Sequence, residues 1–294
     1  MKIGAAAGVL LSLPGRPAFL MAKEDYDLVV ISGDPGSATR KAIEALGGMA
    51  RFVKKGQRVV LKPNMSFAKG PNFGCNTHPE VVTTVAQACL DAGASRVMVL
   101  DNTLGNPELC MSASGIRKAC QGIKGVYVLA PKDEKFYQEV RVPKGKVLDR
   151  AAVLKEVLES QVLISLPVTK SHSATGISMG LKGLMGLIYD RDRFHLQLDL
   201  NEAVADLATV IRPHLTILDA TRALVNGGPG GPGEVQKPNL VIAGTDPLAV
   251  DSFGVTVAPW YGQNFKGRQV KHLLAASQRG IGRIDLEQLR ILKG

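Results

Sequence analysis

Three basic side chains sit among small residues and glycines in Val168-Thr-Lys-Ser-His-Ser-Ala-Thr-Gly-Ile-Ser-Met-Gly-Leu-Lys-Gly-Leu-Met-Gly186: Lys170, His172 and Lys182. Core packing seldom asks for that mix. Ammonium groups bind carboxylate or phosphate, and an imidazole titrating near neutral pH moves protons. The stretch follows the apolar run Val162-Leu-Ile-Ser-Leu-Pro167, so it reads as strand, polar loop, then glycine-spaced helix. α/β proteins build sites for small anions in that way.

Polar residues follow other apolar runs too: Lys62-Pro-Asn64, Asp101-Asn-Thr103, Asp219-Ala-Thr-Arg222 and Thr245-Asp246. Residues directly after parallel strands collect at one edge of the sheet. Lys62, Asn64 and Lys170 are therefore expected to bind an anionic substrate, with Lys182 beside them. His172, Lys182 and His195 are the candidate catalytic groups. Asp101, Asp219 and Asp246 are candidates for a divalent metal, and Asp219 or Asp246 could instead orient a histidine. Each carboxylate also has a plainer reading. Asp101 and Asp219 can cap turns, and Asp246 before Pro247 makes a good helix N-cap.

The loop Asn226-Gly-Gly-Pro-Gly-Gly-Pro-Gly-Glu234 adds Gly228, Gly230 and Gly231 to the substrate-binding candidates. Glycines let backbone approach a ligand, so an anion nest or a lid is expected. The loop matches neither the Walker A nor the Gly-x-Gly-x-x-Gly pattern, which argues against a nucleotide. Gly180, Gly183 and Gly186 recur every third residue around Lys182. Each costs a helix about 1 kcal/mol against alanine. Their recurrence predicts close approach to a ligand or to another element. The alternative is tight helix packing, with Lys182 reaching out to solvent.

The elements that must position these residues follow from periodicity. Strands are expected at 27–31, 58–61, 96–100, 126–129, 162–166, 215–218 and 240–243. Helices are expected at 37–53, 79–92, 112–121, 151–160, 178–189, 200–211, 247–257 and 267–279. Strands alternating with helices imply an α/β fold: a mostly parallel sheet with helices on both faces, in one domain over residues 23–294 or in two lobes. Thr77-His-Pro-Glu80 reads as a capping box, and Asp199 or Asn201 caps the next-but-several helix at residue 200. The charged segment 131–146 reads as a hairpin excursion.

Composition narrows the function classes. Only 5% of the 294 residues are aromatic, which argues against a base-stacking surface and a nucleic-acid partner. The net charge of +10 falls to +8 once Lys2 and Arg16 are set aside, and the remainder is interspersed, which suits a basic pocket better than a groove. Cys75, Cys89, Cys110 and Cys120 form no Cys-x-x-Cys, so a ferredoxin-type iron–sulfur site is not expected. Cys89 has core spacing, Cys75 lies in a polar loop, and Cys110 and Cys120 are a candidate disulfide. Residues 1–22 carry the apolar run Ile3–Leu13, too short to span a bilayer and built like a signal-peptide core. The run resembles the tail of a twin-arginine export signal, although the Arg pair is absent. A periplasmic or otherwise exported protein without a membrane span is the expectation; a cytoplasmic one follows if the segment is not a signal.

Lys62-Pro-Asn64, Thr77-His-Pro-Glu80, Cys89-x-x-x-Gly93-Ala94, Thr169-Lys-Ser-His172, Lys182-Gly-Leu-Met-Gly186, Gly227–Gly233 and Asp246-Pro-x-Ala-Val-Asp251 together resemble the family called domain of unknown function 362. The resemblance implies no settled activity. Many relatives carry an added iron–sulfur module whose cysteine array this chain lacks. The ten-residue offset of His172 and Lys182, with Gly176 between, is similar to nickel-pincer lactate racemases. That second resemblance implies a lysine that holds the cofactor and histidines, His195 among them, that ligate metal and move protons. Three expectations follow: an exported acid–base protein acting on a small anion, a metal- or nickel-pincer-type racemase or redox protein with a redox partner, or a non-catalytic solute- or metal-binding protein.

Overall fold

Thirteen strands run through residues 25–294, the part of the chain described by the computed structural model; the expected export segment lies outside it. They are β1 (Leu28–Ser32), β2 (Arg58–Pro63), β3 (Arg96–Leu100), β4 (Val126–Leu129), β5 (Tyr137–Arg141), β6 (Arg150–Leu154), β7 (Val162–Leu166), β8 (Val168–His172), β9 (Gly176–Ser178), β10 (Leu215–Leu224), β11 (Val235–Gln236), β12 (Leu240–Gly244) and β13 (Ile291–Lys293). The main sheet has the order β13-β1-β12-β10-β7-β2-β3-β4. From β10 through β7, β2 and β3 to β4 all pairings are parallel. β12 breaks the pattern: it is antiparallel to both β10 and β1.

Successive residues of these strands feed opposite layers. Val29, Val59, Leu61, Val97, Val99 and Ile164 pack toward the helices Pro35–Ala45 and Pro79–Asp91. Leu28, Val30, Val60, Met98, Leu100 and Leu163 face the other layer, which holds the helices Leu200–Leu207, Pro247–Val255 and Lys271–Gln278. Burial on both faces is why the strands read as continuous apolar runs rather than alternating ones.

Several local expectations are corrected. The helix expected at 151–160 is a strand and a short helix. Residues 150–154 pair antiparallel with β5, and only Lys155–Glu159 is helical. Partner strands outweigh the helix preference of Ala and Leu there. The helix expected at 112–121 is two, Pro107–Ala113 and Ile116–Cys120, broken at Gly115 with φ +78°. The first helix stops at Ala45 rather than Val53. His78, not Thr77, caps Pro79–Asp91, by accepting from the Glu80 amide; the Thr77 hydroxyl donates instead to the Leu166 carbonyl. Asp199 caps Leu200–Leu207 as expected. The hairpin expected at 131–146 lies further on: β5 pairs antiparallel with β6, whose residues 150–154 fall beyond the expected segment. Cys110 and Cys120 are buried free thiols, as are Cys75 and Cys89.

Candidate functional site

The polar residues after β7 are not a loop. Residues 168–172 form β8, which pairs parallel with the far half of β10 and antiparallel with β9. β10 is long enough to serve both: it pairs with β7 at Leu215 and Thr216 and with β8 from Asp219 onward, with a register shift in the β8 pairing between Asp219 and Ala223. Alternation along β8 then sorts the side chains. Lys170 and His172 line a cavity, together with Ser178 of β9. Thr169 and Ser171 turn the other way: the Thr169 hydroxyl donates to the carbonyls of Asp219 and Arg222, and Ser171 Oγ accepts from the Gly228 amide.

Lys62, Asn64, Asp101, Lys170, His172, Lys182 and His195 all line this one cavity, as the strand-end argument requires. Its volume is about 60 Å³. Liquid water takes about 30 Å³ per molecule, and drug-sized ligands need roughly 300 Å³ or more. The space therefore suits a ligand with few heavy atoms. A larger groove of about 620 Å³ lies beside β4, lined by Met98, Leu129 and Phe136 with mixed charges at its rim, and holds none of the candidate residues.

The cations differ in what they already hold. Lys62 Nζ lies 3.1 Å from Asp101 Oδ1 and donates to its neighbour's carbonyl, Pro63 O, at 2.5 Å. The other Asp101 oxygen accepts from the Met65 amide and the Ser66 hydroxyl. Lys170, 2% exposed, donates to the Cys75 carbonyl at 2.8 Å and sits 4.5 Å over the Phe67 ring. The thiol of Cys75 is buried, so that residue contributes its carbonyl. Burial, only partly offset by charges that include Asp101, brings the Lys170 ammonium down to about 7. Lys182 is 7% exposed and has no hydrogen bond or ion pair among the described residues. Burial first, and then repulsion from Arg191, brings it down to about 7 as well. The Asn64 side-chain oxygen is likewise buried without a partner.

The turn that carries Lys182 is tightly held. Both oxygens of the buried Asp251, on the helix Pro247–Val255, accept backbone amides at 2.8 Å, from Gly180 and Leu181. A Cβ at Gly180 would meet Asp251 Oδ1 at 2.8 Å, and one at Gly186 would meet Asp101 Oδ1 at 2.0 Å and Lys62 Cε at 2.5 Å. Those glycines are required by other elements. Gly183 has nothing within 4 Å of its Cβ position and lines the cavity. The expected long helix is in fact a four-residue helical turn, Gly180–Gly183, continued as a tighter turn over Leu184–Leu187.

The histidines lie face to face, ring planes 3° apart and centroids 6.2 Å apart. His172 Nδ1 accepts the Ala174 amide at 3.1 Å. Burial, then Lys182 and Lys170, brings His172 down to about 3. His195 is exposed at the rim, on the helix Arg191–Leu196. Partial burial, followed by Lys182 and Arg191, holds it below the usual histidine range.

The glycine-rich loop folds over this edge. Lys69 Nζ donates to Gly230 O at 2.7 Å, Gly230 leaves no room for a Cβ against the Phe67 ring, and Pro229 lines the cavity. Gly228 and Gly231 hold the loop's shape rather than face the site: a Cβ at Gly228 would strike Ser171 O, and Gly231 has φ +70°.

Two candidate carboxylates are elsewhere. Asp219 is buried and committed: it accepts from the His78 and Thr221 amides and the Thr221 hydroxyl, and pairs with Arg222 at 2.7 Å. Asp246 follows β12, whose antiparallel direction carries it to the opposite edge. It caps Pro247–Val255 through the Leu248 and Ala249 amides, and also accepts the Arg283 amide. Its inclusion with the site is thus corrected by strand direction. No three His, Cys, Asp or Glu side chains gather for a metal ion among the described residues. His172 fits metal ligation poorly, because a ligating imidazole normally donates its second N–H rather than accepting one. These side chains do not by themselves make a three-donor metal centre.

Sequence reasoning missed Arg191, which lines the cavity and donates to the Thr103 carbonyl at 2.7 Å. It lies four residues before His195, one helical turn, so the singling out of His195 could have flagged it. Asp251 was visible in the Asp246–Asp251 motif, but nothing in the sequence gave it a role.

Comparison with known proteins adds three findings. The family model described as "Domain of unknown function (DUF362)" matches residues 59–256. A thylakoid-associated protein of Synechocystis sp. is 31% identical over 241 residues, 79% of this chain and 71% of that protein. The fold is similar to the lactate racemase apoprotein from Thermoanaerobacterium thermosaccharolyticum, with a TM-score of 0.53 at 11% identity, over 82% of this chain. The chain spans about 60% of that racemase's length.

Proposed function

From a chain that belongs to the domain of unknown function 362 family, we propose a protein that binds a small anion, carboxylate or phosphate, and moves protons on it. The observation that carries this is the Lys182 ammonium, 7% exposed and without a protein partner. An unpaired buried charge is costly, and a bound anion relieves that cost. Lys170, Arg191 and the Lys62–Asp101 pair surround the same space, and the unpartnered Asn64 side-chain oxygen can accept from a hydroxyl of the ligand. Lys62 and Asp101 set the floor, Lys182 and Arg191 neutralise the anion, and the two histidines flank it. No step is routed through a metal, because no three His, Cys, Asp or Glu side chains gather for one among the described residues. Elemental analysis of protein from its native host is expected to find no stoichiometric nickel or iron; stoichiometric nickel would overturn this and favour a racemase-like cofactor.

The test is Lys182→Met. It keeps the methylene stem and removes the charge. Calorimetric titration with inorganic phosphate and with pyruvate should show binding to the native protein and none to the variant, whose melting temperature holds or rises. Full affinity in Lys182→Met would remove the residue from the site. We also propose export, on the apolar run Ile3–Leu13. Protein recovered from the cell envelope should then begin near Lys23, and intact Met1 on active cytoplasmic protein would sink the idea.

A further inference from the structure

The two histidines that share the cavity are held differently, and we propose that they are not interchangeable: His172 is a fixed hydrogen-bond donor through Nε2 to an oxygen of the ligand, and His195 alone carries protons between cavity and solvent. The proposal rests on the anion-site reading above. Its own basis is the Ala174 amide, which donates to His172 Nδ1 at 3.1 Å. A nitrogen that accepts an N–H keeps its lone pair there, so the ring proton sits on Nε2. Protonating Nδ1 would turn that hydrogen bond into two opposed N–H groups.

Nε2 has no acceptor among the described residues, and the ring, 7% exposed, lines the cavity. The groups facing it are cationic or basic from every side: Lys170 on its own strand, Lys182 on the glycine turn, His195 on the rim helix and His272 on Lys271–Gln278. All of them favour the neutral ring. A neutral imidazole that donates is well matched to an oxygen gaining negative charge during a proton transfer, and it has no free lone pair with which to act as the base. His195 has the opposite setting. It is exposed, makes no hydrogen bond among the described residues, and stacks parallel to His172. Both its nitrogens are free to exchange with water.

Two measurements test the assignment. In nitrogen-labelled native protein without ligand, NMR should show His172 as the neutral Nε2–H tautomer from about pH 8 to about pH 5, while the His195 ring N–H exchanges with water faster than that of His172. A His172 that is Nδ1–H, or that becomes imidazolium in this range, overturns the proposal. Substitutions supply the second arm, read by titration with pyruvate. His172→Gln keeps a donor near the Nε2 position and should bind within a few-fold of native, whereas His172→Ala should weaken binding about tenfold or more, as loss of a charge-assisted hydrogen bond does. Equal losses in His172→Gln and His172→Ala, with both proteins folded, would also overturn it. Native protein that binds neither pyruvate nor phosphate would refute the anion site itself, and the tautomer measurement stands apart from that outcome.

Discussion

Lys182 makes the residue-scale behaviour depend on pH. Its folded value of about 7 lies below the ordinary lysine value of 10.5. Between those values the unfolded chain binds the extra proton and the native state does not, so native stability rises with pH across this window. The destabilising effect is fully present below about 7. Lys170 adds in the same direction. Anion affinity runs the other way, because only the ammonium form attracts the ligand. Phosphate or carboxylate binding should weaken as pH rises through about 7, with proton uptake on binding visible as a buffer-dependent heat. Lys182→Met should flatten part of the stability rise; an unchanged pH profile would mean Lys182 is solvated in the native state. At this scale the sequence was informative. Seven candidate residues meet in one cavity because each lies close to the end of a parallel strand or on the turn and helix that follow β9. Nδ1 of His172 was invisible in the sequence, since its partner is a backbone amide.

At the scale of elements, the Lys182 turn separates two uses of glycine. Gly186→Ala would drive a methyl into the buried Lys62–Asp101 pair, and should cost about 3 kcal/mol or more, read by denaturant unfolding. Gly183→Ala meets no atom within 4 Å in the free protein. It should hold or raise stability, by up to about 1 kcal/mol, while narrowing the cavity and weakening anion binding. If Gly183→Ala binds as tightly as native, the ligand does not approach that turn. The three-residue spacing announced that something comes close, but could not say which glycine meets protein and which meets ligand. The hairpin β5–β6 was half legible for a related reason: the strand at Arg150–Leu154 exists only because β5 is beside it.

At the scale of the whole molecule, strand direction is what periodicity does not encode. β12 has the same apolar pattern as its neighbours, yet it runs against β1 and β10, so Asp246 lands at the far edge as a helix cap. Asp246→Ala should cost about 1 kcal/mol of stability, as loss of an N-cap does, and leave phosphate affinity unchanged. A loss of binding there would mean that the far edge communicates with the site. No helix among the described residues is long and apolar enough to cross a membrane.

The position of β1 has a consequence for biosynthesis. Both strands that pair with it, β12 and β13, come from the C-terminal end of the chain. A growing polypeptide can bring β2, β3, β4 and β7 together well before then, because these follow one another closely and pair among themselves. Leu28–Ser32 must meanwhile wait without its sheet partners until the ribosome has delivered nearly the whole protein. Contacts so distant in sequence slow folding and leave an apolar strand open to wrong partners. The nascent chain is therefore most vulnerable at its oldest end, and a chaperone acting during synthesis would find its binding segment there.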